Sequence, residues 1–276
     1  MNEDRLADWE GVEARISSLG IRIGVPICIV HKTASTSDDA KSAARAGARH
    51  GATWVAEEQT KGRGRQGRAW QSAKGESILV SILLRTTVSP ERVAPLSLVA
   101  GLVVRDAVEH ATAAPNVRVK WPNDVLIGER KVAGILVETL LSGGRVEAVI
   151  VGIGLNVHAR AFADDLTAKA TSMGLETDRE LHRSAILADI LQRLDRESDL
   201  VLHRGLGPFR ARLEKADALK GKRVTRDDGV SGIASGIDDT GGLRVAHDNG
   251  AIAVWSSGEV HLVAPVLDGR PPPAGR

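Results

Sequence analysis

Three strand-like runs, Val117–Trp121, Lys131–Thr139 and Val146–Gly152, follow one another with only the turn signals Asn123-Asp124 and Ser142-Gly143-Gly144 between them. Two more, Thr53–Ala56 and Ser77–Leu84, flank a glycine- and arginine-rich connection. Helical patterns fall irregularly among them: a stripe over residues 4–19 (Leu6, Trp9, Ile16, Leu19) that stops at Gly20, an Ala-rich stretch from Ser35 to Arg49, a segment from Pro90 to about Thr112, and a long one over about Asp178 to Arg204. Clustered strands with scattered helices predict an α+β fold rather than an alternating parallel one. After Lys215 the pattern changes. Residues 221–264 hold short strands separated by Asp227-Asp228-Gly229, Thr240-Gly241-Gly242 and Asp248-Asn249-Gly250, as expected of a small all-β barrel. The tail from Asp268, with three successive prolines, reads as disordered.

At 276 residues the chain has room for about two domains. A 42% hydrophobic and 26% charged composition excludes global disorder, collagen-like repeats and coiled coil. Thirty-seven basic against 35 acidic residues leave a net charge of +2, too balanced for a surface built wholly to hold nucleic acid. The single cysteine, Cys28, excludes a disulfide framework and a Cys-cluster zinc site. It lies in Val25–Val30, which reads as a buried strand, and is expected to be a small core hydrophobe. No apolar run approaches a membrane span, and the polar, acidic start Met1–Gly11 is no signal peptide, so a cytoplasmic protein is expected.

Gly62-Arg63-Gly64-Arg65-Gln66-Gly67-Arg68 matches G-x-G-x-x-G, but a strand rather than a helix follows, and no acidic residue is placed to hold a ribose. Kinase and Walker signatures are absent. What remains is a loop with Lys61, Arg63, Arg65 and Arg68 spaced by glycines, suited to enclosing a polyanion closely. The eight histidines form no His-x-x-x-His pair, so no metal site is expected. Of the tryptophans, Trp70 and Trp121 have polar or basic neighbours and are candidate ligand platforms.

Four blocks follow in order: Ser35-Thr36; Glu58-Gln59-Thr60-Lys61-Gly62-Arg63-Gly64-Arg65; Lys120-Trp121-Pro122-Asn123-Asp124 with Lys131-Val132-Ala133-Gly134-Ile135-Leu136-Val137-Glu138; and Gly152-Ile153-Gly154-Leu155-Asn156. Together, from about Ser35 to residue 263, they closely resemble the biotin–protein ligase family in its form without an N-terminal DNA-binding domain. The resemblance implies a class II synthetase-like mixed sheet with flanking helices, followed by a small SH3-like β-barrel. It divides the chain into an N-terminal extension (1–24), a catalytic domain (25–218), the barrel (219–267) and a tail (268–276). It implies an enzyme that makes biotinyl-5'-AMP from biotin and ATP with Mg2+, then transfers biotin to a lysine of a biotin carboxyl carrier domain. It also implies a monomer or homodimer.

By position, the resemblance assigns Ser35, Thr36, Ser37, Gln59, Gly62, Arg63, Gly64, Arg65, Lys131 and Gly134 to biotin. It assigns Arg63, Trp70, Lys120, Asn123, Lys131 and Asn156 to ATP. Arg65 matches the residue that retains the adenylate, Lys131 the lysine at the biotin carboxyl and α-phosphate, and Asp124 an acid near the incoming lysine. Ser37 stands where the family usually has Asn, and Gln66 where it often has another arginine. Three alternatives remain. A lipoate or octanoate ligase of the same superfamily would leave Ser35, Thr36 and Gln59 without a reason to be polar. A DNA-binding repressor would need more than the roughly 24 residues that precede the first strand, so no DNA binding is expected. A non-catalytic RNA-binding module would use Arg63 and Arg65 without ATP turnover.

Overall fold

A computed structural model describes residues 7–262. The chain runs β1 (Ile27–Thr33), α2 (Thr36–Arg45), β2 (Thr53–Gln59) and β3 (Ser77–Arg85), after an N-terminal α1 (Val12–Ser18). There follow α3 (Leu96–Thr112), β4 (Val117–Lys120), β5 (Asp124–Ile127), β6 (Arg130–Ser142) and β7 (Arg145–Asn156). Then come α4 (Arg183–Arg204), α5 (Arg210–Ala216) and five short strands: β8 (Arg223–Arg226), β9 (Ser231–Ile237), β10 (Leu243–Ala246), β11 (Ile252–Trp255) and β12 (Val260–Leu262). The first seven strands form one mixed sheet, β1-β2-β3-β7-β6-β5-β4, parallel only between β1 and β2. The last five form a separate antiparallel sheet, β11-β10-β9-β8-β12. This is the expected mixed sheet with flanking helices, followed by a small β module.

Strand alternation divides the large sheet into two faces. Val55, Ile82, Leu84, Val149 and Val151 face the main core with α1, α3 and α4. Leu83, Ala148 and Ile150 face the other way, onto Ala40 and Ala44 of α2. Helix α3 lies between the sheet and α4, which explains why apolar residues surround it almost completely. Because α2 is short, it covers only part of its face. The remainder is left for the site.

The small sheet is not a loose appendage. Val224, Leu243, Val245, Trp255 and Val260 belong to the same core as the large sheet. The segment entering it pairs with the β4 edge, where Ala218 N–H donates to the Val119 carbonyl at 2.9 Å, so that edge is covered.

Several expectations are corrected. The strand of Val25–Val30 begins at Ile27, lies at the sheet edge and is half-exposed; Cys28 is exposed, because α2 does not reach that corner. The stripe over 4–19 is a 3-10 turn at Ala7–Trp9 followed by α1 from Val12; residues 1–6 and 263–276, including the expected tail, lie outside the described residues. Asp124, read as a turn residue, opens β5. Trp121 is no platform: it is 2% exposed, and its indole N–H donates to the Gly241 carbonyl of the small module at 2.9 Å.

The sequence did not announce a buried charge pair on the core face of β2. Glu57 receives two bonds from the Arg183 guanidinium, at 3.0 and 3.1 Å, and a third from the Trp9 indole. Arg183 also donates to Asp8 at 2.7 Å and lies over the Trp9 ring at 4.9 Å. This network joins the N-terminal segment, β2 and the start of α4. Arg183→Met leaves Glu57 buried without its counter-ion and is expected to cost about 3–5 kcal/mol, measured by urea unfolding. Combining it with Glu57→Gln is expected to recover part of that loss.

Candidate active site

The floor of the site is bare backbone. Gly134 of β6 lies directly opposite Gly154 of β7, and Asp124 of β5 lies opposite Gly134 on the other side. A Cβ on Gly154 would stand 2.4 Å from the Trp70 ring, and one on Gly134 would stand 3.1 Å from both that ring and Lys131 Nζ. A Cβ on Gly152 would come within 3.1 Å of Ser37 Oγ. The glycines are needed here for space, and their backbones are ordinary strand. The Trp70 indole therefore lies flat on the sheet.

One end of this floor is polar. Ser35 is the N-cap of α2, is 2% exposed, and makes no side-chain capping bond. That task passes to Gln59 at the end of β2, whose Oε1 accepts from Thr36 N–H at 2.8 Å and Thr36 Oγ1 at 3.1 Å. Thr36 and Ser37 hydroxyls meet Ser81 Oγ at 2.8 and 3.0 Å. Ser81 was not singled out from the sequence, although a lone hydroxyl inside the apolar run Ile78–Leu84 marks it.

The other end is cationic. Lys131 Nζ lies 2.6 Å from Asp124 Oδ1 and 5.6 Å from the Trp70 ring centroid. Lys120 lies opposite Asp124 in the β4–β5 pairing. Burial pushes the Lys120 pKa below the usual lysine value, with Asp124 and Glu259 opposing and Lys131 and Arg68 adding to the effect. Arg65 is also lowered by burial, against the pull of Asp124 and Glu259.

The loop over this floor is a closed hairpin. Trp70 N–H donates to the Gly62 carbonyl at 2.9 Å, and Gly64 N–H to the Arg68 carbonyl at 2.7 Å. A Cβ on Gly62 would sit 2.5 Å from the Trp70 carbonyl oxygen, so this crossing requires glycine. The three arginines diverge. Arg63 Nη2 pairs with Asp38 at 2.8 Å and Glu138 at 3.4 Å, while Arg68 pairs with Glu259 of the small module. Arg65 forms no ion pair among the described residues, and it lies within the electrostatic reach of Asp124 and Glu259.

The structure thus gathers Ser35, Thr36, Ser37, Gln59, Gly62, Trp70, Gly134, Lys131, Asp124, Lys120 and Arg65 on one face, with Gly64 in the covering loop. Three expected ligand residues are otherwise engaged. The Asn123 amide donates to the Ile135 carbonyl at 2.7 Å, next to the Asp124–Gly134 pair that opens the β5–β6 ladder. The Asn156 amide donates to the Thr171 carbonyl at 3.0 Å, and Arg63 turns to its two acids. Among the described residues no group of three His, Cys, Asp or Glu could hold a metal, and no helix is long and apolar enough to cross a membrane.

A family model described as the biotin/lipoate A/B protein ligase family matches residues 31–156, and one for the biotin protein ligase C terminal domain matches residues 221–263. A Mycobacterium tuberculosis biotin–[acetyl-CoA-carboxylase] ligase is 34% identical over 244 residues, covering 85% of this chain and 88% of its own. The chain belongs to the biotin–protein ligase family. Another family member, the bifunctional ligase/repressor BirA of Salmonella typhimurium, is 35% identical over 78% of this chain; the match covers 67% of that protein, and 65% of its Escherichia coli counterpart. Among solved biotin–protein ligases, that of Aquifex aeolicus in complex with biotin and ATP has a TM-score of 0.73 and 30% identity, covering 86% of this chain and 98% of that one.

Gly154→Ala is expected to dislodge Trp70, giving a changed tryptophan emission spectrum. The melting temperature should move less than for a core substitution, because the ring can swing out into solvent. As pH rises, Lys120 loses its proton before a solvent-exposed lysine does. Anion affinity measured by isothermal titration should therefore fall on the alkaline side, and Lys120→Arg should remove that fall.

Proposed function

We propose that this chain is an ATP-dependent biotin–protein ligase that forms biotinyl-5'-AMP and passes the biotinyl group to a lysine of a biotin carboxyl carrier domain. One observation carries this reading: a hydroxyl- and amide-lined slot and a cationic cluster share one glycine floor under one arginine loop. The slot suits a ureido-type head group, which offers donors and an acceptor together. A lipoyl or octanoyl chain would offer no polar partner to the Ser35 hydroxyl and the Gln59 amide nitrogen, at a cost in affinity. That alternative is not favoured.

In the first step a carboxylate oxygen of biotin attacks the α-phosphorus and pyrophosphate leaves. Two unit negative charges about 4 Å apart at an effective dielectric near 20 repel by about 4 kcal/mol. Left uncompensated, that slows the step by about three orders of magnitude. Lys131, Arg65 and Lys120 are assigned to offset it, by charge and position rather than by covalent chemistry. Magnesium arrives with the nucleotide as MgATP, and no protein carboxylate is assigned to it. The buried Trp70 indole N–H has no acceptor among the described residues, which fits a ligand partner at that point.

The product is a mixed anhydride that water would destroy, and the loop from Gly62 to Trp70 is assigned to cover it, with Arg65 as the grip. In the second step the acceptor amine attacks the acyl carbon of the anhydride, AMP leaves and the nitrogen gives up a proton; the amine must first be neutral, which costs about 4–5 kcal/mol at pH 7 for a free lysine. Asp124 holds Lys131 in the first step and is assigned to orient the incoming amine in the second.

Incubation with biotin, MgATP and a carrier domain is expected to add one biotinyl group at one lysine, read by mass spectrometry. Transfer from octanoate or lipoate in a parallel incubation, with none from biotin, would replace this reading, and no transfer at all would reject it. Arg65→Gly is expected to release the adenylate and label lysines on unrelated proteins. Labelling still confined to the carrier would remove Arg65 from its role.

A further inference from the structure

We propose that Asp38 and Glu138 are positioning residues that clamp the first limb of the Gly62–Trp70 loop through Arg63, and so set how long the loop stays closed over the activated intermediate. This rests on the reading of the chain as a biotin–protein ligase. The two acids come from elements on either side of the polar slot: Asp38 follows Ser35–Ser37 in the first turn of α2, and Glu138 lies on β6 beyond Gly134. A single nitrogen, Arg63 Nη2, reaches both. Lys41 completes the group, 2.5 Å from Glu138 and 3.8 Å from Asp38.

Two acids and two bases make a neutral quartet. With Arg63 withdrawn, the remaining three carry a net negative charge beside the polar slot. Closing the loop is therefore what cancels the charge, and Arg63 is directed to protein carboxylates rather than to ligand. The pairs are also of the right strength. Side-chain exposures of 36% for Arg63, 49% for Asp38 and 25% for Glu138 place them in a wet setting, where single ion pairs are weak and can be remade at each turnover. Arg65, two residues on, is left to hold the intermediate, so closure and grip are carried by different side chains.

The test is the double variant Asp38→Asn/Glu138→Gln, which removes charge and keeps shape. In the ligand-free protein, amide hydrogen exchange across Arg63–Trp70 is expected to accelerate about tenfold, equivalent to ~1.4 kcal/mol of loop opening, with β3 and β7 unchanged. With biotin and MgATP but no carrier, the adenylate is expected to form at within about threefold of the parent rate and to escape about tenfold faster, labelling an added bystander protein. Retention in the parent protein should shorten with added salt more steeply than retention in the variant, which keeps only the Arg65 contact. A purely structural role would slow formation and release together and would accelerate exchange in the sheet. If sheet exchange does rise, Glu138→Gln alone is read in the same way. Loop exchange equal to that of the parent overturns the proposal. If the parent protein forms no adenylate, the functional reading fails, and loop exchange alone still decides whether the clamp exists.

Discussion

Trp70 can lie on the sheet only because Gly134 and Gly154 face each other with no side chains between them and the ring. Around this contact the rest of the site takes its place. It fixes where the arginine loop returns, since Trp70 N–H closes the hairpin on Gly62. It leaves the Lys131 ammonium over the ring, 5.6 Å from its centroid, with Asp124 as its counter-ion. It also separates the polar slot at Ser37 and Gln59 from the cationic end at Lys120 and Arg65. Any side chain at either glycine would lift the cover from the floor.

The second organising principle is the pairing of charge. A loop with four cations in eight residues would repel itself and bind any anion if all of them pointed inward. Here Arg63 is taken by Asp38 and Glu138, and Arg68 by Glu259, so the loop is held at both limbs by acids on three separate elements. The partly buried Arg65 and Lys120 remain for the site. Their lowered pKa values reflect the same partial dehydration that strengthens their hold on an anion.

The scaffold behind the site is stiff for a different reason. The buried Arg183–Glu57 pair ties β2 to α4 and to the N-terminal segment, two residues before Gln59. The small β module shares the main core and sends Glu259 to the loop, so it supports the site directly.

Most of the strands, the irregular helices, the small terminal β module and the glycine–arginine loop were legible in the chain, because each follows from local periodicity or turn chemistry; β5, a four-residue strand read as part of a turn, was not. So was the family, since its blocks are contiguous runs such as Lys131–Glu138. Only the tertiary structure decided that Cys28 sits at an exposed edge, that Trp121 joins two sheets, that the Asn123 and Asn156 amides serve backbone carbonyls, and that Arg63 answers to Asp38 and Glu138. Each of these depends on which face or edge of the sheet a residue meets and on partners 12 to 120 positions away. Periodicity along one strand says which residues share a face. It does not say what will be packed against that face.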